Sequence, residues 1–282
     1  MTRGLRGYRP GHPYLAGAPL LIAHRGSTLL APENTLEAFQ RAVEWWGTDV
    51  LELDVHPSRD GEAVVIHDAT VDRTTGGSGR VAEMALEQLQ SLDAGFRFRS
   101  AGGDRPFRGT GVRIPTLREV FDRCPGVRLN VEIKDGRVRE RVAEVVASAG
   151  AEGRTLIAAS RPQDALRRRG SRLATSASLR ELRTFYLSYR LRLASWYHPR
   201  VDAFQLPEEH KRRQVLSPGL IRAAHALNVA VHVWTVNDPV AMRRLLRWGV
   251  DGVVTDRPDL LATVLHEEIG RPLPPGAPHG AC

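Results

Sequence analysis

Residues 50–56 read VLELDVH and residues 129–135 read LNVEIKD. The first run is apolar at Val50, Leu51, Leu53 and Val55, broken only by Glu52 and Asp54. A run that is apolar on both faces is what a parallel strand covered on both sides requires. Residues two apart in a strand point the same way, so Glu52 and Asp54 share a face. Glu132 and Lys134 repeat the arrangement in the second run. Two carboxylates on one face of a buried strand repel each other and need a cation, a proton or arginines.

Working outward, similar runs recur along the chain. Candidate strands are Leu20–His24, Val50–Val55, Ala63–His67, Leu129–Ile133, Thr155–Ala159, Ala203–Leu206, Val229–Trp234 and Gly252–Thr255, with a further strand-like region at Ser171–Ser176. Helical patterns alternate with them: Thr35–Trp46, Thr116–Arg123, Arg137–Ala149, Pro162–Arg169, Pro218–Leu227, Pro239–Trp248 and Pro258–Glu267. Several open at or beside a proline, which the first helical turn tolerates, and Thr116 is a candidate N-cap. Strand–helix repetition predicts an α/β chain. About eight strands in 282 residues, with no glycine-rich dinucleotide fingerprint, predict a (β/α)₈ TIM barrel, which typically takes ~250 residues. The barrel is expected at 20–268, after an N-terminal extension at 1–19. Residues 68–111 break the rhythm and read as a small insertion after the third strand-like run, on the face where barrel loops carry function. The Pro/Gly-rich tail, 269–282, is expected to be disordered.

Composition narrows the function classes. The apolar fraction of 42% and charged fraction of 26% are those of a soluble globular protein. No stretch approaches the ~20 uninterrupted apolar residues of a membrane helix. Prolines at 10, 13 and 19 interrupt any signal-like apolar core, so a cytoplasmic address is expected. Cys124 and Cys282 make no disulfide framework. The net charge of +8 is carried almost wholly by arginine: Lys134 and Lys211 are the only lysines among 40 basic residues. That bias runs through the whole chain, and aromatics do not interleave with bases as in single-strand binders. No nucleic-acid partner is expected; an anionic small molecule is. Gly76, Gly77 and Gly79 lack the Lys-Ser/Thr ending of a nucleotide P-loop.

The strand-end residues carry the chemistry. Buried, unpaired charges cost several kcal/mol each, so two strands with same-face charges call for a shared solution. One solution is ion pairing with the abundant arginines. The other places Glu52, Asp54 and Glu132 around one divalent cation. An all-oxygen donor set selects Ca²⁺ or Mg²⁺, and Mn²⁺ is compatible with it. His24 and His67 each end a strand and are each followed by a charged residue. Histidine serves as acid or base near neutrality. Arg25 has the fork geometry that clamps phosphate oxygens, and Lys134 adds a second positive charge.

Seven segments together resemble the glycerophosphodiester phosphodiesterase family: HRG at 24–26, PENT at 32–35, ELDV at 52–55, HD at 67–68, NVEIK at 130–134, VWTVN at 233–237 and DGVVTDRPD at 251–259. The resemblance spans roughly 20–262. It implies that His24 and His67 are the acid/base pair and that Glu52, Asp54 and Glu132 hold the metal. It further implies that Arg25 and Lys134 bind phosphate, that Glu33 supports the site, and that Trp234 lines the substrate pocket. The reaction implied is metal-dependent hydrolysis of glycerophosphodiesters, such as glycerophosphocholine, to glycerol 3-phosphate and an alcohol. Two alternatives remain: a lysophospholipase D acting on lysophospholipids, and a non-catalytic phospholipid-binding barrel.

Residues 178–200 carry Leu182, Phe185, Tyr186, Tyr189, Leu193 and Trp196 at helical spacing among five arginines. A barrel helix burying this stripe accounts for the pattern. A basic amphipathic helix with aromatics also suits a membrane surface, so 178–200 is a candidate for peripheral membrane contact.

Overall fold

The computed structural model describes residues 12–159, 172–211 and 213–276. The helix expected at 162–169 lies outside the described residues, as do the first 11 and last six residues of the expected extension and tail. In chain order the elements are β1 (Leu20–Ala23), α1 (Leu36–Trp46), β2 (Val50–Pro57), β3 (Ala63–Val65), α2 (Leu86–Gln90), α3 (Leu117–Arg123), β4 (Arg128–Ile133) and α4 (Arg139–Ser148). They continue with β5 (Thr155–Ala159), β6 (Ala174–Thr175), α5 (Leu179–Arg190), β7 (Ala203–Pro207), a small ribbon of β8 (Glu209–His210) and β9 (Arg213–Gln214), α6 (Pro218–Ala226), β10 (Ala230–Trp234), α7 (Pro239–Trp248), β11 (Gly252–Thr255) and α8 (Pro258–Ile269).

Eight strands form one parallel sheet in the order β6-β5-β4-β2-β1-β11-β10-β7. A parallel bridge from Ser176 to Ala203 joins its two ends, so the sheet closes into a (β/α)₈ barrel. One stave differs from the sequence reading. The run at 63–67 yields β3, which pairs antiparallel with the end of β2, Val55 opposite Val65 and Pro57 opposite Ala63. The connection between them is a short turn through Gly61, which adopts φ 85°. A parallel crossover needs a dozen or more residues, so this run cannot be the next stave. Its place in the ring is taken by β6, whose two residues are too few to show a period.

Local chemistry starts the helices where the pattern predicts. Thr35 caps α1, and Thr116 with Glu119 makes a reciprocal capping box on α3. Ser217 and Asp238 cap α6 and α7 ahead of Pro218 and Pro239. On β2 the odd-numbered Leu51, Leu53 and Val55 pack outward with Leu129, Val131 and Ile133 of β4 under α1, α3 and α4. The same alternation turns Glu52 and Asp54 inward, where both are buried.

The barrel floor is closed from below. Tyr14, in a single helical turn before β1, is fully buried among Leu20, Ile22, Val50, Ala174, Ala203 and Ala230. Arg128 at the start of β4 donates to the Tyr14 carbonyl at 3.1 Å. Residues 12–19 therefore belong to the barrel rather than to an extension. The near part of the tail is likewise held: Arg271 donates to Asp49 at 2.7 Å, and the Gly276 amide donates to the Trp45 carbonyl at 2.8 Å. Val71, Val81, Leu89 and Phe107 of the insertion share a core cluster with Val64, Ile66, Val112 and Ile114 and with Ala38 of α1. Among the described residues, no helix is long and apolar enough to cross a membrane.

Candidate active site

The carboxyl ends of the staves converge on a pocket of about 410 Å³, and seven of the nine residues expected at the site line it. His24, Arg25, Glu52, His67, Glu132, Lys134 and Trp234 line it; Asp54 lies just behind. Glu33 stands further out, between Arg25 and Arg73.

Register makes the acidic cluster. Across the parallel pair β2–β4, Asp54 is opposite Glu132 and Glu52 is opposite Asn130. The three carboxylates offer oxygens that all lie within 4.8 Å of one another. Burial first, then the neighbouring charge of Asp54 and Glu132, pushes the Glu52 carboxyl up to about 8. Asp54 moves the other way: burial opposes its charge, but Lys134 and Arg25 outweigh that and hold it below the ordinary carboxylate range. Lys134 Nζ lies 3.0 Å from Asp54 and 2.9 Å from Glu132, so the second strand's cation neutralises the first strand's acid. Asn130 Oδ1 is a buried acceptor with no protein donor, on the pocket wall beside Glu52. Three convergent carboxylates, one of them with its pKa pushed up by burial, and an unpaired neutral oxygen fit a hard divalent cation.

A strained turn delivers the first histidine. His24–Gly26 forms one helical turn at the end of β1, with Arg25 at φ 51° and Ser27 at φ 93°. Gly26 adopts φ 80°, and a Cβ there would lie 2.8 Å from the Ala38 side chain, so glycine lets the turn close onto α1. Residues at positive φ cluster where surrounding bonds hold them. Here the Arg25 amide donates to Glu52 at 3.0 Å. Asn34, at φ 58°, donates from its amide to the Arg25 carbonyl and from its side chain to Asp54, both at 2.9 Å.

Each histidine is held by a carboxylate at Nδ1. His24 Nδ1 lies 2.7 Å from Asp256, which also accepts from Thr28 at 2.6 Å and Asn237 at 2.8 Å. Burial alone would lower the His24 pKa, but the Asp256 hydrogen bond and the Glu52 charge outweigh it and raise it. His67 Nδ1 lies 2.6 Å from Asp68. Arg73 donates to Asp68 at 2.6 Å and reaches Glu33 at 2.7 and 2.8 Å, and Glu33 in turn accepts from Arg25 at 3.0 Å. The Arg73 bond, followed by that of His67, holds the Asp68 carboxyl down at about 2. The His67 carbonyl is tied to His56 Nε2 at 3.0 Å. Each Nδ1 is thus committed to a carboxylate, and Nε2 is the other ring nitrogen of each.

The model of the glycerophosphoryl diester phosphodiesterase family matches residues 24–260. The chain belongs to this family. A glycerophosphodiester phosphodiesterase of Caldanaerobacter subterraneus is 35% identical over 263 residues, covering 88% of this chain and 98% of that protein. A lysophospholipase D of Rattus norvegicus is 29% identical, covering 87% and 85% respectively. The crystal structure of a glycerophosphoryl diester phosphodiesterase domain from Mycobacterium tuberculosis superposes with a TM-score of 0.76 over 89% of this chain and 99% of that one. Its 24% identity bears on the fold. The chain is therefore a phosphodiesterase of this family, with an acidic cluster suited to a divalent cation and a small phosphodiester as substrate.

Asn34, Asp256 and Arg73 carry no role in the sequence reading. Asp256 had a usable signal, since it lies inside DGVVTDRPD; the register that pairs Thr255 with Ala23 then brings Asp256 and His24 out of neighbouring strand ends together. Asn34 lies inside PENT beside Glu33. Arg73 had none, because its contact with Glu33 spans 40 residues.

Proposed function

We propose that the protein hydrolyses glycerophosphodiesters, such as glycerophosphocholine, to glycerol 3-phosphate and an alcohol, with His24 and His67 as the acid/base pair. The observation that carries this reading is the paired Nδ1–carboxylate anchoring of both histidines on one pocket with the Glu52, Asp54 and Glu132 cluster. The three carboxylates would hold a Ca²⁺, Mg²⁺ or Mn²⁺ ion, which when bound supplies Lewis acidity and a template for the phosphoryl oxygens. Arg25 and Lys134 put positive charge on the pocket wall where the transition state gathers negative charge. One Nε2 takes the proton of the nucleophile, which is either water, giving glycerol 3-phosphate directly, or the neighbouring hydroxyl of the glycerol moiety, giving a cyclic phosphate that water then opens to glycerol 3-phosphate. The other Nε2 gives a proton to the departing alkoxide.

A second reading has its own observation. Leu179, Leu182 and Trp234 form an apolar side of the same pocket, which suits an acyl chain and hence lysophospholipase D activity. Product release from glycerophosphocholine and lysophosphatidylcholine, each with Ca²⁺, Mg²⁺ or EDTA, tests both. Metal-dependent glycerol 3-phosphate from the first substrate is expected. Preference for the lysolipid would favour the second reading, and no release from either would sink both.

Asp256 is a positioning residue in this scheme. An asparagine there can present an amide N–H to Nδ1 and move the imidazole proton to Nε2, the wrong tautomer. Asp256→Asn is expected to lower kcat by ~10²-fold or more, by analogy with loss of the orienting carboxylate in a catalytic triad. The pH profile should change as well, since the carboxylate raises the His24 pKa. Steady-state kinetics across pH checks both; an unaltered kcat and profile would remove Asp256 from the site.

A further inference from the structure

The helix α5 meets the barrel with one face only. Phe185 is buried and stacked on Phe204 with ring centroids 4.4 Å apart, and Tyr197 packs on Phe185 at 6.1 Å. Tyr189 reaches Ser217 at the start of α6 at 3.5 Å. These contacts account for Phe185, Tyr186 and Tyr189 of the stripe seen in the sequence. They leave Trp196 outside it, at 79% exposure.

The opposite face carries exposed leucines interleaved with arginines, where a solvated helix would be polar throughout. Leu187 and Leu191 are 60% and 67% exposed, and Leu179 and Leu193 are about as open. Leu179, Leu187 and Leu191 fall at multiples of four residues, which places them along one side of the helix and its end. Five of the eleven large hydrophobic residues that stand exposed among the described residues belong to this one segment. Scattered exposed leucines need no explanation; a contiguous set rimmed by charge marks an interaction surface.

The rim has one sign. Arg180, Arg183, Arg190 and Arg192 are all exposed. Glu181 is the only acid between 178 and 200, and it is engaged by the Ser178 amide and hydroxyl at 2.8 and 2.7 Å in the helix cap. Arg190 donates to Tyr186 rather than to a carboxylate. Leucine and tryptophan flanked by arginine match an interface with an apolar interior and anionic headgroups. The surface also abuts the catalytic pocket, because Leu179 lies at the start of this face and lines the pocket wall.

We propose that the exposed face of α5 and the turn at 193–196 docks on an anionic phospholipid bilayer, holding the mouth of the pocket against the membrane. Leu187, Leu191 and Trp196 enter the headgroup–acyl boundary, and the arginines lie on the anionic headgroups. The proposal rests on exposure and charge, not on the assigned reaction, so binding is read without turnover.

The test is co-sedimentation of the full chain with vesicles of phosphatidylcholine alone or mixed in roughly equal parts with phosphatidylglycerol. The parent is expected to bind the mixed vesicles, to bind phosphatidylcholine vesicles at least about tenfold more weakly, and to release as salt rises. Leu191→Ser/Trp196→Ser and Arg190→Ala/Arg192→Ala are each expected to lower binding about tenfold with unchanged thermal unfolding, since all four side chains are exposed. No binding of the parent, equal binding to both vesicles, or binding that either double variant leaves intact would overturn the proposal. So would a parent dimer in sedimentation velocity that Leu191→Ser/Trp196→Ser converts to monomer, which would assign the face to a second copy.

Discussion

His24→Ala and His67→Ala are each expected to lower kcat by ~10²–10⁴-fold on glycerophosphocholine with KM little changed, the range of positioned acid–base catalysis. Both side chains line the pocket, and both present Nε2 because Nδ1 is committed to Asp256 or Asp68. A fold defect would not account for the loss. Asp256 keeps Thr28 and Asn237 after His24 is removed, and Asp68 keeps Arg73 after His67 is removed, so neither carboxylate is orphaned. Groups that act as a unit are non-additive, so the double variant should be little slower than the slower single one. Steady-state kinetics beside thermal unfolding reads this directly. Activity within a few-fold of the parent for either single variant would end that residue's assigned role.

Much of this was legible because buried charge is expensive and strands alternate. Glu52, Asp54, Glu132 and Lys134 were conspicuous in apolar runs, and a period of two was enough to put each pair on one face. Register then did what sequence could not show: it set Asp54 opposite Glu132 rather than one residue along, which would have turned one carboxylate toward the helices. The staves were visible where they were long. β6 showed only as a strand-like region at Ser171–Ser176, since two residues carry no period, and β3 misled because an apolar run is the same whether its partner is parallel or antiparallel. The strap from Asp68 through Arg73 to Glu33 and Arg25 depends on how the insertion folds back over PENT, a contact between distant segments with no local signature. The same holds for Trp196: spacing put it on the buried stripe, but α5 ends at Arg190, and beyond that point helical spacing no longer fixes direction.

Glu52→Gln separates the acidic cluster's role in metal binding from its role in folding. In the metal-free protein the Glu52 carboxyl stands at about 8, against an ordinary value of 4.5. Between those values the folded chain keeps a proton that the unfolded chain has released. The contribution of Glu52 to stability is therefore fully present below about pH 4.5, falls as pH rises, and is lost above about pH 8. Glutamine has nearly the same shape and no charge to desolvate, so the variant should lose nothing over that interval. Metal-free parent and variant should unfold at similar temperatures near pH 5. By pH 8.5 the variant should be the more stable, by an amount on the order of a few kcal/mol, which is several degrees in a chain of this size. A divalent cation should reverse the order. It stabilises the folded parent by mass action, whereas the variant, with one carboxylate fewer, should bind it more weakly, gain less and turn over more slowly. Thermal unfolding across pH with EDTA, Mg²⁺ or Ca²⁺ measures all of these. Parallel pH curves for the two proteins without metal would mean that Glu52 is already charged and balanced by Lys134, Arg25 and His24. Equal stabilisation of both by metal would place the ion elsewhere than on Glu52.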